Sequence, residues 1–221
     1  MNRLMNIIMH TLRFSVCVLI LCGLLQSFPI SAKPGHEPVR ADAQSKSSES
    51  TKSTETQRVA LYEGMVSFVP PEGFSLMPDE AIAIKFPDAK RPTIIYSNSE
   101  TTVAITISFP SQRGLSPEQL PELKTFMVSE LPKRKKDLKW LQQELVEING
   151  RRWIHLEFLS AAIDATIHNH MYITSLDERV LLFNFNAPVE DYAAYKDALE
   201  KSRDSIQTEN RDGSHPARGG R

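Results

Sequence analysis

Four side chains in the second half of this chain could do chemistry together: His155, Glu157, His168 and His170. Two imidazoles and a carboxylate, brought close, supply the nitrogen and oxygen donors that hold zinc with one coordination position left open. Ser160 and Asp164 stand near His155 in sequence and sketch a hydrolase triplet, but nothing beside them offers a nucleophile turn or an oxyanion hole. The usual catalytic signatures are missing from the sequence: no G-x-S-x-G elbow, no H-E-x-x-H, no glycine-rich phosphate loop and no dinucleotide fingerprint. The residues therefore point to binding chemistry and not to an enzyme.

Whether the four groups meet depends on the strands that carry them. Leu141–Ile148 alternates towards Asn149-Gly150, a strong signal for a two-residue hairpin. Arg151–Ser160 returns with Ile154, Leu156 and Phe158 on one face, and Thr166–Thr174 and Val180–Asn186 continue the run around a turn at Asp177-Glu178-Arg179. A two-residue turn at Ala162-Ile163 sets His155 opposite His170 and Glu157 opposite His168, all on one face of the sheet. Two readings of that face stand side by side. It is a zinc site, or it is a layer of satisfied histidines packed under a helix beside Phe183 and Phe185.

Upstream, Met65–Val69 and Ser75–Met77 read as short strands, and Thr93–Ser97 with Thr102–Phe109 as a hairpin. Ser116-Pro117-Glu118-Gln119 has the residues of a helix start, and Leu120, Leu123, Met127 and Leu131 follow on one helical face until Pro132 ends it. The run Lys133-Arg134-Lys135-Lys136 lacks interleaved aromatics and reads as a solvated linker, not a nucleic-acid patch. Pro188 opens a last helix with Tyr192, Tyr195, Leu199 and Ile206 on one stripe. Trp140 and Trp153 read as core, and Arg151 and Arg152 as solvent-facing turn residues. The predicted class is α+β: a central antiparallel sheet with helices packed on it.

The ends of the chain have a different character. Residues 1–32 carry Arg3 and Arg13, no acidic residue, and the apolar run Phe14–Leu25, followed by Pro29 and the small pair Ser31-Ala32. This is the anatomy of a signal peptide. Retention as an uncleaved anchor is the alternative, and the sole route to the membrane in this reading. Val16 and Leu21 precede Cys17 and Cys22 where lipid attachment requires a small residue, so a lipoprotein is disfavoured. Cleavage after Ala32 removes both cysteines and moves the net charge from −1 to −3, which excludes thiolate metal sites, disulfides and any strong attraction to nucleic acid. Residues 33–57 and 208–221 are polar and poor in large apolar groups, and are expected to be a disordered linker and tail around a domain at 58–207.

The segment Val66-Ser67-Phe68-Val69-Pro70-Pro71-Glu72-Gly73-Phe74, the helix ending at Leu131, the Asn149-Gly150 hairpin and the strand Leu182-Phe183-Asn184-Phe185 before the last helix resemble the PsbP-like superfamily. Within it, the DcrB-like bacterial envelope proteins are the most similar group. The resemblance implies an α/β/α sandwich and a non-enzymatic domain that binds larger partners; it carries over no functional residue. The resulting expectation is an exported protein, periplasmic or secreted, that serves as an accessory or interaction domain for a protein partner of the envelope. It needs no cofactor. The alternative is a small-ligand or metal-binding envelope protein, with zinc held on the histidine face.

Overall fold

The computed structural model describes residues 57–211 apart from 86–91, 93, 136, 163 and 164. The expected signal peptide, nearly all of the expected linker, the end of the tail and Asp164 lie outside the described residues. The elements in order are β1 (Val59–Leu61), β2 (Val66–Phe68), β3 (Ser75–Leu76), α1 (Asp79–Lys85), β4 (Ile94–Ser97) and β5 (Ala104–Ser108). A single 3-10 turn at Pro117–Gln119 leads into α2 (Leu120–Arg134). The second half consists of β6 (Lys139–Ile148), β7 (Arg151–Ala161), β8 (Thr166–Leu176), β9 (Arg179–Pro188), α3 (Val189–Asp204) and β10 (Gln207–Thr208).

Seven strands form one antiparallel sheet in the order β3-β4-β5-β9-β8-β7-β6, and β1, β2 and β10 form a second, small sheet. The α+β architecture is thus the one the alternation predicts. β6 to β9 make a meander because their connections are short. Asn149 and Gly150 have φ of 49° and 80°, the left-handed pair that a type I′ turn needs, and they set Ile148 opposite Arg151. Asp177 and Glu178 do the same at φ 49° and 59°, so Arg179 belongs to β9 and not to the turn.

Period-two alternation divides the strands into two faces. Ile154, Leu156, Phe158, Met171 and Ile173 pack with Leu120, Leu123, Met127 and Leu131 of α2, all buried. The opposite face carries Trp153, Tyr172, Phe183 and Phe185, which pack with Leu199, Tyr192 and Tyr195 from α3 and with Phe68 of the small sheet. The helices are offset: α2 lies across β6 and β7, whereas α3 lies across β8 and β9. Trp153 is fully buried and Trp140 packs edge-on against Phe158 with ring centroids 5.4 Å apart, both as core residues.

Several local expectations are corrected. Pro132 does not end α2; it sits in the last turn and the helix runs two residues further, because only one backbone bond is forfeited there. Lys135 is buried at the end of that helix, and burial lowers its ammonium pKa to about 8, so this part of the basic run is not a solvated linker. Arg151 is buried rather than solvent-facing. It donates to Ser175 O at 2.7 Å, to Thr208 Oγ1 at 2.7 Å and to Asn210 Oδ1 at 3.0 Å. Those bonds hold the chain beyond residue 207 in place, where Thr208 pairs with Val66 in β10 instead of starting a disordered tail. The helix α1 has no counterpart in the sequence reading, since seven residues are too few to establish a periodicity. Among the described residues no helix is long and apolar enough to cross a membrane.

Candidate functional site

The four candidate residues lie together on the face under α3. The pairing that brings them there is not the expected one: His155 lies opposite Tyr172, Glu157 opposite His170, and His168 opposite Leu159. The strands do not reverse at the expected Ala162-Ile163 turn: Ala161 pairs with Thr166, Ala162 N–H donates to Ala165 O at 2.8 Å, and Ile163 itself lies outside the described residues. The register therefore moves by two residues. A shift of two preserves the face, whereas a shift of one would have scattered the cluster to both sides of the sheet.

Within the cluster, His155 Nε2 lies 3.3 Å from His170 Nδ1, and His168 Nε2 lies 2.7 Å from Glu157 Oε1. Glu157 Oε1 is also 3.7 Å from His170 Nε2. One donor atom from each of His155, Glu157 and His170 falls within 4.8 Å of the others. Among the described residues, His170 Nε2 is buried and makes no hydrogen bond. His168 stands beside that trio, joined to it through Glu157.

Residues not anticipated from the sequence complete the site. Glu144 on β6 brings Oε1 to 3.6 Å from His155 Nδ1 and accepts a 2.8 Å bond from Gln142. The Asn149-Gly150 turn could have revealed this, because the register it sets puts Glu144 opposite His155. Tyr172 stacks on His155 at 4.5 Å between centroids, and Tyr192 from α3 leans on His168 at 3.8 Å. Arg203 on α3 donates to the Tyr172 hydroxyl at 3.2 Å. The helix contributions had no signal in the sequence, because nothing local says where α3 rests on the sheet.

Burial dominates the electrostatics. It lowers the His155 pKa, against the opposing pull of Glu144. Burial, the neighbouring imidazoles and the cations Arg203 and Lys196 push that of His170 down to about 3. Desolvation lifts the Tyr192 phenol to about 12. Neutral imidazoles of this kind keep a lone pair available for a cation.

Because α3 stops short of β6 and β7, a cleft of about 530 Å³ opens between the helix and these two strands, with His155, Glu157 and His170 in its wall. Its lining includes Glu144, Glu147, Glu157, Glu200 and Asp204 against Lys196 and Arg203, so carboxylates outnumber cations. It contains no serine, threonine or cysteine. The hydrolase triplet is not assembled: Ser160 lies on the other face of the sheet, where Asn169 Nδ2 donates to its Oγ at 3.1 Å. This arrangement can bind cations and hold protons, and it brings no hydroxyl nucleophile to the histidines.

No family model and no curated protein matches the chain. Among solved structures, a protein of Bacteroides thetaiotaomicron VPI-5482 is similar at a TM-score of 0.51 and 10% identity, covering 73% of this chain and 52% of that one. This chain thus spans about half of the Bacteroides protein. Cyanobacterial PsbP (CyanoP) from Synechocystis sp. PCC 6803 matches at 0.47 and 13%, over 73% of this chain and 98% of its own. LpqN, described as involved in cell envelope biogenesis of Mycobacterium tuberculosis, matches at 0.48 and 12%, over 68% and 90%. At such identities the likeness is one of fold. The architecture that a PsbP-like chain implies, an antiparallel sheet clad by helices, is the architecture this chain has.

Proposed function

We propose that the protein is an exported, non-enzymatic binding protein of the bacterial envelope, and that it holds its protein partner along the open edge of β6 and in the adjoining cleft. The observation that carries this reading is the offset of α3, which leaves a cleft beside β6 and β7 on one sheet face, lined with more carboxylates than cations. β6 is an edge strand of ten residues, with Leu141 and Leu145 exposed at 47% and 36%. A long edge strand is a template for pairing with an extended segment of another chain. The acidic balance of the cleft favours a segment that carries lysine or arginine side chains. The signal-like residues 1–32 support export, and the absence of catalytic signatures from the sequence supports a binding role.

Site-specific photo-cross-linking tests the proposal. A photoreactive residue at Leu145 should cross-link a defined envelope protein, and one at Leu76, on the opposite sheet edge, should not. Charge reversal through Glu147→Lys with Glu200→Lys should remove the adduct. Equal labelling from both edges, or an adduct indifferent to charge reversal, would sink the reading.

A further inference from the structure

We propose that His155, Glu157 and His170 bind a divalent transition-metal ion of the zinc class in the wall of the cleft, with Glu144 and His168 positioning the ligands. The inference rests on the cleft being the binding surface, and it names a second ligand of that same site.

Geometry comes first. The donors of the three residues fall within 4.8 Å of one another. The 3.3 Å between His155 Nε2 and His170 Nδ1 is the edge of a tetrahedron drawn with zinc–nitrogen bonds of about 2.0–2.1 Å. A hydrogen bond between two neutral imidazoles accounts for the same distance; with either partner on Nδ1, the buried His170 Nε2 faces Glu157, whose Oε1 stands 3.7 Å away.

Positioning groups are the second observation. Metal-binding imidazoles commonly direct their other nitrogen to a carboxylate, and metal-binding carboxylates are themselves hydrogen-bonded. Both features are present: Glu144 Oε1 faces His155 Nδ1 at 3.6 Å, and His168 Nε2 donates to Glu157 Oε1 at 2.7 Å. Two cations also face the site, but Lys196 pairs with Glu200 at 3.0 Å and Arg203 with Asp204 at 2.8 Å. Imidazole with carboxylate, and no thiolate, selects zinc and its first-row neighbours over soft copper(I) or the oxygen-seeking calcium and magnesium. The cleft leaves room for a further ligand from water or from a bound molecule.

The test uses the purified full chain, stripped with a chelator and titrated with zinc alone against a chromophoric competitor. One zinc per chain is expected. Glu157→Gln and His170→Gln should each weaken binding at least about 100-fold, and His168→Gln about 10–100-fold. Cobalt(II) added to the unaltered chain should show the intense visible absorption of a four- or five-coordinate ion, a readout that does not depend on any variant folding. A weak six-coordinate spectrum, or zinc affinity unchanged in the variants, overturns the proposal. Cross-linking from Leu145 repeated with zinc and with chelator separates the two readings. Zinc uptake without a partner adduct removes the partner and keeps the metal, whereas an adduct without zinc uptake does the reverse.

Discussion

The two faces of the large sheet are built from the same strands, yet they have opposite characters. Under α2 lie Ile154, Leu156, Phe158, Met171 and Ile173, closed by four apolar residues of the helix. Under α3 an apolar half, with Tyr172, Phe183 and Phe185, gives way towards β6 to His155, Glu157, His168 and His170. The contrast separates two tasks. Apolar packing between α2 and the sheet contributes stability, and the half-covered face keeps polar groups desolvated enough to perturb them while a cleft stays open beside them.

Four measurements can break or sharpen this contrast. The largest effect belongs to the sealed face: Phe158→Ala should cost about 3–5 kcal/mol in urea unfolding, because a fully buried ring is lost and the cavity collapses only partly. A cost below about 1 kcal/mol would mean that this face is not the stabilising one.

The second effect belongs to the open face, and it concerns pH in the metal-free chain. Folding favours neutral His155 and His170, so the unfolded chain takes up protons first as pH falls through about 6.5. Stability is full above that pH and declines by ~1.4 kcal/mol per pH unit for each such histidine, until the folded value is reached, about 3 for His170. Between pH 6.5 and 4.5 the loss from His170 should be roughly 2–3 kcal/mol, and His170→Gln should flatten the profile. An unchanged slope in that variant would show that the imidazole is not held neutral by this face.

A smaller loss, about 1 kcal/mol, is expected for Arg203→Met, which removes the bond from α3 to the Tyr172 hydroxyl. It should also make the intrinsic fluorescence of the tyrosines more accessible to quenchers. Leu145→Lys is the smallest, within about 0.5 kcal/mol, because the side chain is already partly in water. If it destabilises by several kcal/mol, the edge of β6 is not a free surface.

Much of the fold can be read along the chain. The alternation in Arg151–Ala161 and Thr166–Leu176 sorts apolar from polar residues strand by strand, and Asn149-Gly150 sets one hairpin register outright. The helical stripe from Leu120 to Leu131 contributes the same residues to the core as its spacing predicts. Between β7 and β8 the reading fails, because no glycine or asparagine marks the turn and a loop of two or four residues satisfies the same alternation. The site is partly legible for the same reason: the four candidates share a face in either register, but their partners differ. Arg151 was misread because charge suggests solvent, while its burial depends on β10, distant in sequence; Lys135 was misread because a basic run suggests a linker, while it caps a helix that runs on past Pro132.

By itself the sequence determined which residues could bind a cation and that strand alternation would gather them on one side of a sheet. A period of two is a local property, written in neighbouring residues. Only the tertiary structure decided that α3 would rest over β8 and β9, leaving a cleft beside Glu144 and His155 on β6 and β7. Helix placement depends on packing between elements far apart in the chain, and that lateral offset makes the cleft.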